Sequence, residues 1–94
     1  MEGHSVISPD VLARYAADAA LEVPGVREVV ETPLQRRGVK VAGDEIEVHL
    51  LVEWGAVFPE VAAAVQSRVT DYLLRMADVR PAAVHVVVVE VARP

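Results

Sequence analysis

Residues 46–69 read IEVHLLVEWGAVFPEVAAAVQSRV. The apolar period changes inside this stretch. Ile46, Val48, Leu50, Val52 and Trp54 alternate, which places them on one side of a strand. Beyond Pro59, Val61, Val65, Val69, Tyr72, Leu73 and Met76 recur at helical spacing, which predicts one apolar stripe. A strand that runs into a helix is where α/β proteins bind phosphate, so the junction is either a site or a corner. A phosphate cradle needs glycines that let backbone N–H groups approach the anion. Here there is one, Gly55, followed by Ala56, Val57 and Phe58, and Pro59 removes a donor at the helix start. The residues describe a corner instead. Gly55 turns the chain, Phe58 staples the helix entry, and Pro59 presets the first turn.

Upstream, VKVA and EIEVHLLVEW flank Gly43-Asp44, a two-residue hairpin signal. If Ala42 faces Glu45, then Val41 faces Ile46, Lys40 faces Glu47 and Val39 faces Val48. Apolar meets apolar on one face and opposite charges meet on the other, which supports that register. Ser8-Pro9-Asp10 opens a first helix, with Ser8 as N-cap and Pro9 in the first turn. Leu12, Tyr15, Ala16, Ala19 and Val23 form its stripe, and Pro24-Gly25 ends it. A brief strand is expected at His4–Ile7 and another from Val26 to Thr32, with PLQRRG as connector. Downstream, Pro81 stops the second helix and the last strand runs from Ala83 to Val91.

The order is (β)-α-β-β-β-α-β over a single domain, residues 1–94. Each helix has one apolar stripe, so each covers something on one side only. The expected fold is α+β in two layers: a small mixed or antiparallel sheet with both helices on one face.

Composition narrows the function. At 94 residues, 53% hydrophobic and 24% charged, the chain is one folded domain. It has no cysteine, so disulfides, thiolate catalysis and Cys-based zinc sites are excluded. A Cys-free chain without a secretory leader fits the cytosol. No apolar run approaches the ~20 residues that span a bilayer. The net charge is -5, with one short basic cluster at Arg36-Arg37 and Lys40. That balance disfavours nucleic acid and anionic lipid, whose affinity rests on phosphate neutralisation.

The alternation leaves a second sheet face. Glu47, His49, Leu51 and Glu53 point away from the helices. In the last strand Val84, Val86 and Val88 form one set, and His85, Val87, Val89 and Val91 the other. An uncovered face carrying Leu51, Val87, Val89 and Val91 would be an apolar patch of the kind that marks a partner surface. Alternatively, the N-terminus or the PLQRRG loop covers it. The candidate interaction residues are therefore Leu51, Val87 and Val89, with His49 and His85 around them.

Chemistry is harder to find. His49 and His85 fall on the open face, yet no third metal ligand has suitable spacing, and alternating Glu47 and Glu53 are what a solvated strand carries. Ser5, Ser8 and Ser67 lie in no Gly-x-Ser-x-Gly context. Neither a catalytic group, a metal nor a cofactor is expected.

Taken together, LVEWGAVFPEVAAAVQSRV resembles the signature of the alkaline shock protein (Gls-type) envelope stress response family. There an alternating strand ends in Val-Glu-Tyr-Gly, and a short apolar step leads to Pro-Glu-Val and a helix with Val-Gln near its middle. The matching positions are Val52, Glu53, Trp54, Gly55, Pro59, Glu60, Val61, Val65 and Gln66. ISPDVLARYAADAALEVPGV is similar to the family's first helix, and PAAVHVVVVEV to its last strand. Trp54 departs from the usual Tyr, His85 from a common Asn, and MADVRP from the usual Met-Thr-Gly step. The resemblance implies a small α+β domain without enzymatic activity. It implies a cytosolic bacterial protein tied to the envelope, held at the membrane by a separate anchor protein or self-assembling into a homo-oligomer.

Three rival classes are weighed beside it. A small-molecule-binding or accessory module of the iron–sulfur-assembly type, using the corner around Trp54 and Phe58, has a similar α-β-β-α-β order, but its carriers use cysteine. An enzyme with an unrecognised site would place its pocket at the same corner, lined by Trp54, Phe58 and Tyr72. An RNA-binding KH module needs a Gly-x-x-Gly loop and basic charge, and neither is present.

Overall fold

The computed structural model describes residues 7–32 and 38–94. Within them the order is α1 (Pro9–Leu21), β1 (Val26–Val29), β2 (Val39–Ala42), β3 (Glu45–Val52), α2 (Phe58–Ala77) and β4 (Ala83–Val91). Of the strand expected at His4–Ile7 only Ile7 is among the described residues, where it packs against the core outside any strand, and most of the PLQRRG connector lies outside them.

β3 is the spine of the sheet. Along its first half it pairs antiparallel with β2, and Ala42↔Glu45, Val41↔Ile46, Lys40↔Glu47 and Val39↔Val48 are the register that the turn and the alternation predict. Along its second half it pairs antiparallel with β1. β4 runs parallel to β3 over the whole length, from Glu45↔Ala83 to Val52↔Val91. A strand has two edges, so β1 and β2 follow one another along one edge and β4 takes the other. The sheet is mixed. A parallel neighbour needs a long crossover, and α2 supplies it.

The helices cover one face. Ile46, Val48, Leu50 and Val52 are buried beneath them. α1 contributes Leu12, Ala13, Ala16, Ala19 and Ala20, and α2 contributes Val61, Val65, Val69 and Leu73. Small alanines on α1 let its backbone approach the sheet and α2 closely, and the valines of α2 fill what remains. Truncating a fully buried side chain such as Leu73 to Ala costs about 2–5 kcal/mol. Tyr15 and Tyr72 close the helix pair edge to face, with ring centroids 5.9 Å apart. Met76, expected in the stripe, is exposed instead. The stripe passes from Leu73 to Ala77, which packs against the core. Ser8 caps α1 as expected, its Oγ accepting from the Val11 N–H at 3.2 Å.

Two bulges correct the simple alternation. In β1, Val26 faces Val52 and Glu28 faces Leu51, so Arg27 is the extra residue. Val26 and Val29, three apart, therefore both pack against the core. The β1 ladder also stops at Val29, short of the expected Thr32, which makes only an isolated bridge. In β4, Val88 faces Leu50 and Glu90 faces Leu51, so Val89 is extra. The face flips after it. Val91 pairs with Val52 and packs against the core, so it does not belong to the open face as strict alternation predicts.

Candidate interaction surfaces

The open face of the sheet is built by strand alternation. Lys40 lies opposite Glu47, Glu47 opposite His85, and His49 opposite Val87. Leu51 follows on β3, facing Glu90 across the bulge. His49, His85, Leu51 and Val87 thus share one face. Val87 is 38% exposed and the bulge residue Val89 is 46% exposed, while His49 and Leu51 are half-buried.

Polar groups on this face pair with each other. His85 Nε2 lies 2.9 Å from Glu45 Oε1, and His49 Nε2 lies 2.6 Å from Glu47 Oε2. A carboxylate only accepts, so each imidazole donates through Nε2. His49 Nδ1 is buried and has no hydrogen-bond partner among the described residues. The two histidines form separate carboxylate pairs and do not converge on a common point. Among the described residues no group of three or more His, Asp or Glu side chains could hold a metal ion. A shallow hollow of about 320 Å³ opens beside them, lined by Lys40, Ala42, Glu45, Ile46, Glu47 and His85.

The β3–α2 corner is built differently. Glu53 fixes its base, because its N–H donates to the Gly25 carbonyl at 2.8 Å and its own carbonyl accepts from Ala56 at 3.1 Å. Its carboxylate reaches Arg27 only at 3.9 Å, an exposed pair of little energetic weight. Gly55 adopts φ +85°, the left-handed turn that glycine takes without strain. Pro59 stands in the first turn of α2 and Glu60 beside it. Gln66, further along the same helix, sends its amide to the Val84 carbonyl of β4 at 3.0 Å.

The corner's aromatics are not where a staple or a pocket would put them. Phe58 is 42% exposed, so it does not pin the helix entry. Trp54 is 65% exposed, and Tyr72 is engaged with Tyr15. A pocket lined by Trp54, Phe58 and Tyr72 therefore does not form. Instead a cleft of about 330 Å³ opens beside them, between Val23, Pro24 and Gly25 on one side and Ala56, Val57, Glu60, Val61 and Ala64 on the other. Nothing in the periodicity signals it.

Among the described residues no helix is long and apolar enough to cross a membrane. The model of the alkaline shock protein family, with cell envelope-related function, matches residues 1–93. No curated protein and no solved structure matches the chain.

Proposed function

The chain belongs to the alkaline shock protein family of cell envelope-related function, and we propose that it serves there as a non-catalytic assembly domain whose open sheet face takes a second copy of itself. The observation that carries this reading is the exposure of Val87 and Val89 on a strand whose other valines are packed against the core. Exposed valines on a sheet are unfavourable in a monomer and favourable when another surface covers them. The face also carries both signs of charge, with Lys40 on β2 and Glu47 opposite it on β3. A two-fold-related copy can set each against its opposite, as an isologous interface requires.

A membrane-anchored protein seated on the same face is the alternative occupant, and the family's envelope-related function favours it. Localisation in the cytoplasm, with attachment to the envelope through a partner, belongs to this proposal. Light scattering over a wide concentration range separates the two. The wild type is expected to form a dimer or larger assembly at low micromolar concentration, and Leu51→Asp a folded monomer. A wild type that stays monomeric at every concentration sinks self-association. Association that survives Leu51→Asp moves it off the open face.

A further inference from the structure

The β3–α2 corner is a separate surface from the open sheet face, and its shape and charge are not used by the assembly described above. Trp54 (65% exposed), Val57 (54%) and Phe58 (42%) place three large apolar side chains on the surface within one short connector. Scattered exposed apolar residues are ordinary, but three together, one of them tryptophan, are not. Tryptophan at such a position has the properties of an interface anchor: large area, few rotatable bonds and one polar handle.

Beside these residues lies the cleft of about 330 Å³. Its floor is closed, because Gly25, at φ +99°, packs so closely on Val61 that a Cβ placed there would stand 2.9 Å from Val61 Cγ2. Its other lining groups are apolar except Glu60. That carboxylate has no ion-pair partner among the described residues. The amino end of α2 contributes a partial positive charge of about +0.5, less than the full negative charge of Glu60 beside it. An apolar cleft with one uncompensated acid on its wall is complementary to an apolar side chain with a cation next to it.

We propose that this corner is a second docking surface, and that it takes a short segment of another protein in which a Leu or aromatic side chain enters the cleft and a neighbouring Lys or Arg meets Glu60. The net charge of -5 argues against an anionic lipid surface as the occupant, since like charge repels.

The test pans a random displayed-peptide library on the folded chain and follows the recovered peptides by the emission of Trp54, the single tryptophan. Enriched peptides should carry Leu, Phe or Trp beside Lys or Arg and should shift Trp54 emission to the blue. Their affinity should fall about tenfold or more with Glu60→Lys, and similarly with Ala64→Phe, which fills the cleft from an exposed helix position. Leu51→Asp should bind them as the wild type does. Melting curves confirm that each variant folds, and Glu60→Gln serves if Glu60→Lys does not. Failure to enrich any peptide overturns the proposal, as does binding to the Glu60 variant as tight as to the wild type. A blue shift that follows protein concentration without peptide overturns it in favour of a second copy. A shift produced by phosphatidylglycerol vesicles, with none from peptides, overturns it in favour of a membrane.

Discussion

The side-chain amide of Gln66 donates to the main-chain carbonyl of Val84 at 3.0 Å, tying the middle of α2 to β4. β4 pairs only with β3 among the described residues, so it is an edge strand, and edges carry main-chain groups that seek partners. Gln66 occupies one of them from within the chain. This gives a physical role to a residue that the family motif singles out.

Gln66→Leu keeps the helix propensity and removes the donor. The expected loss is about 0.5–1.5 kcal/mol, the net worth of one hydrogen bond. Urea unfolding should show a lower midpoint at an unchanged m-value, because no more surface is exposed on unfolding. An unchanged midpoint would mean that solvent replaces the amide without loss.

Gly25 is held more tightly. Ala at this position meets two obstacles: a φ of +99°, which L residues avoid, and Val61 Cγ2 at 2.9 Å. Strained backbone of this kind costs about 1–3 kcal/mol before the contact is counted. Gly25→Ala should therefore destabilise by about 2–4 kcal/mol, and Val61→Ala should relieve only the contact part. Thermal melts of both single variants and the double variant measure the coupling. Purely additive effects would show that the two residues do not touch. Gly43→Ala is the control, since φ is +61° there but a Cβ would meet nothing within 4 Å.

Asp78 ends α2 in the left-handed region, at φ 54° and ψ 38°. Its N–H donates to the Leu74 carbonyl at 3.1 Å, and the N–H of Val79 to the Leu73 carbonyl at 3.2 Å. These bonds need the turn but not the Asp side chain. Glycine adopts the same conformation without a Cβ penalty. Asp78→Gly is expected to stabilise the domain by about 0.5–1 kcal/mol, which raises Tm by roughly 4–8 °C per kcal/mol for a domain of this size. A lower Tm would show that the carboxylate itself contributes to the cap.

What is legible in the sequence follows the range of the interactions. The hairpin register can be read because Gly43-Asp44 fixes the turn and each following pair checks it locally. The ends of β4 can be read because Pro81 and the β-branched run set them. That β3 is central, with β4 parallel on one edge and β1 and β2 sharing the other, rests on contacts between residues far apart in sequence, which alternation does not encode. Four consecutive valines, residues 86–89, carry no alternation, so they hide the bulge, and counting by twos puts Val91 on the wrong face. Trp54 continues the phase of Ile46 to Val52, which points it inward, but the ladder ends at Val52 and the turn at Gly55 carries the indole into solvent. The cleft cannot be read at all, since its lining joins residues 23–25 to residues 56–64, which are far apart in sequence.

The bulge itself is testable. Removing one valine from the 86–89 run leaves a regular ladder: Val84, Val86 and Val88 still face the helices, Glu90 still meets Leu51, and Val91 still meets Val52. Only the exposed extra residue disappears. The shortened chain is expected to fold with a stability within about 1 kcal/mol of the wild type, because no core contact is lost and a ladder irregularity is removed. If the open face mediates self-association, the same deletion should weaken it, since Val89 is the more exposed of the two valines there. Chemical unfolding and light scattering on one sample separate the effects. Unchanged stability with weaker association places Val89 in the interface. A large loss of stability would show that the bulge is needed to bring Val91 and Ala92 into the core, and unchanged association would take Val89 out of the contact.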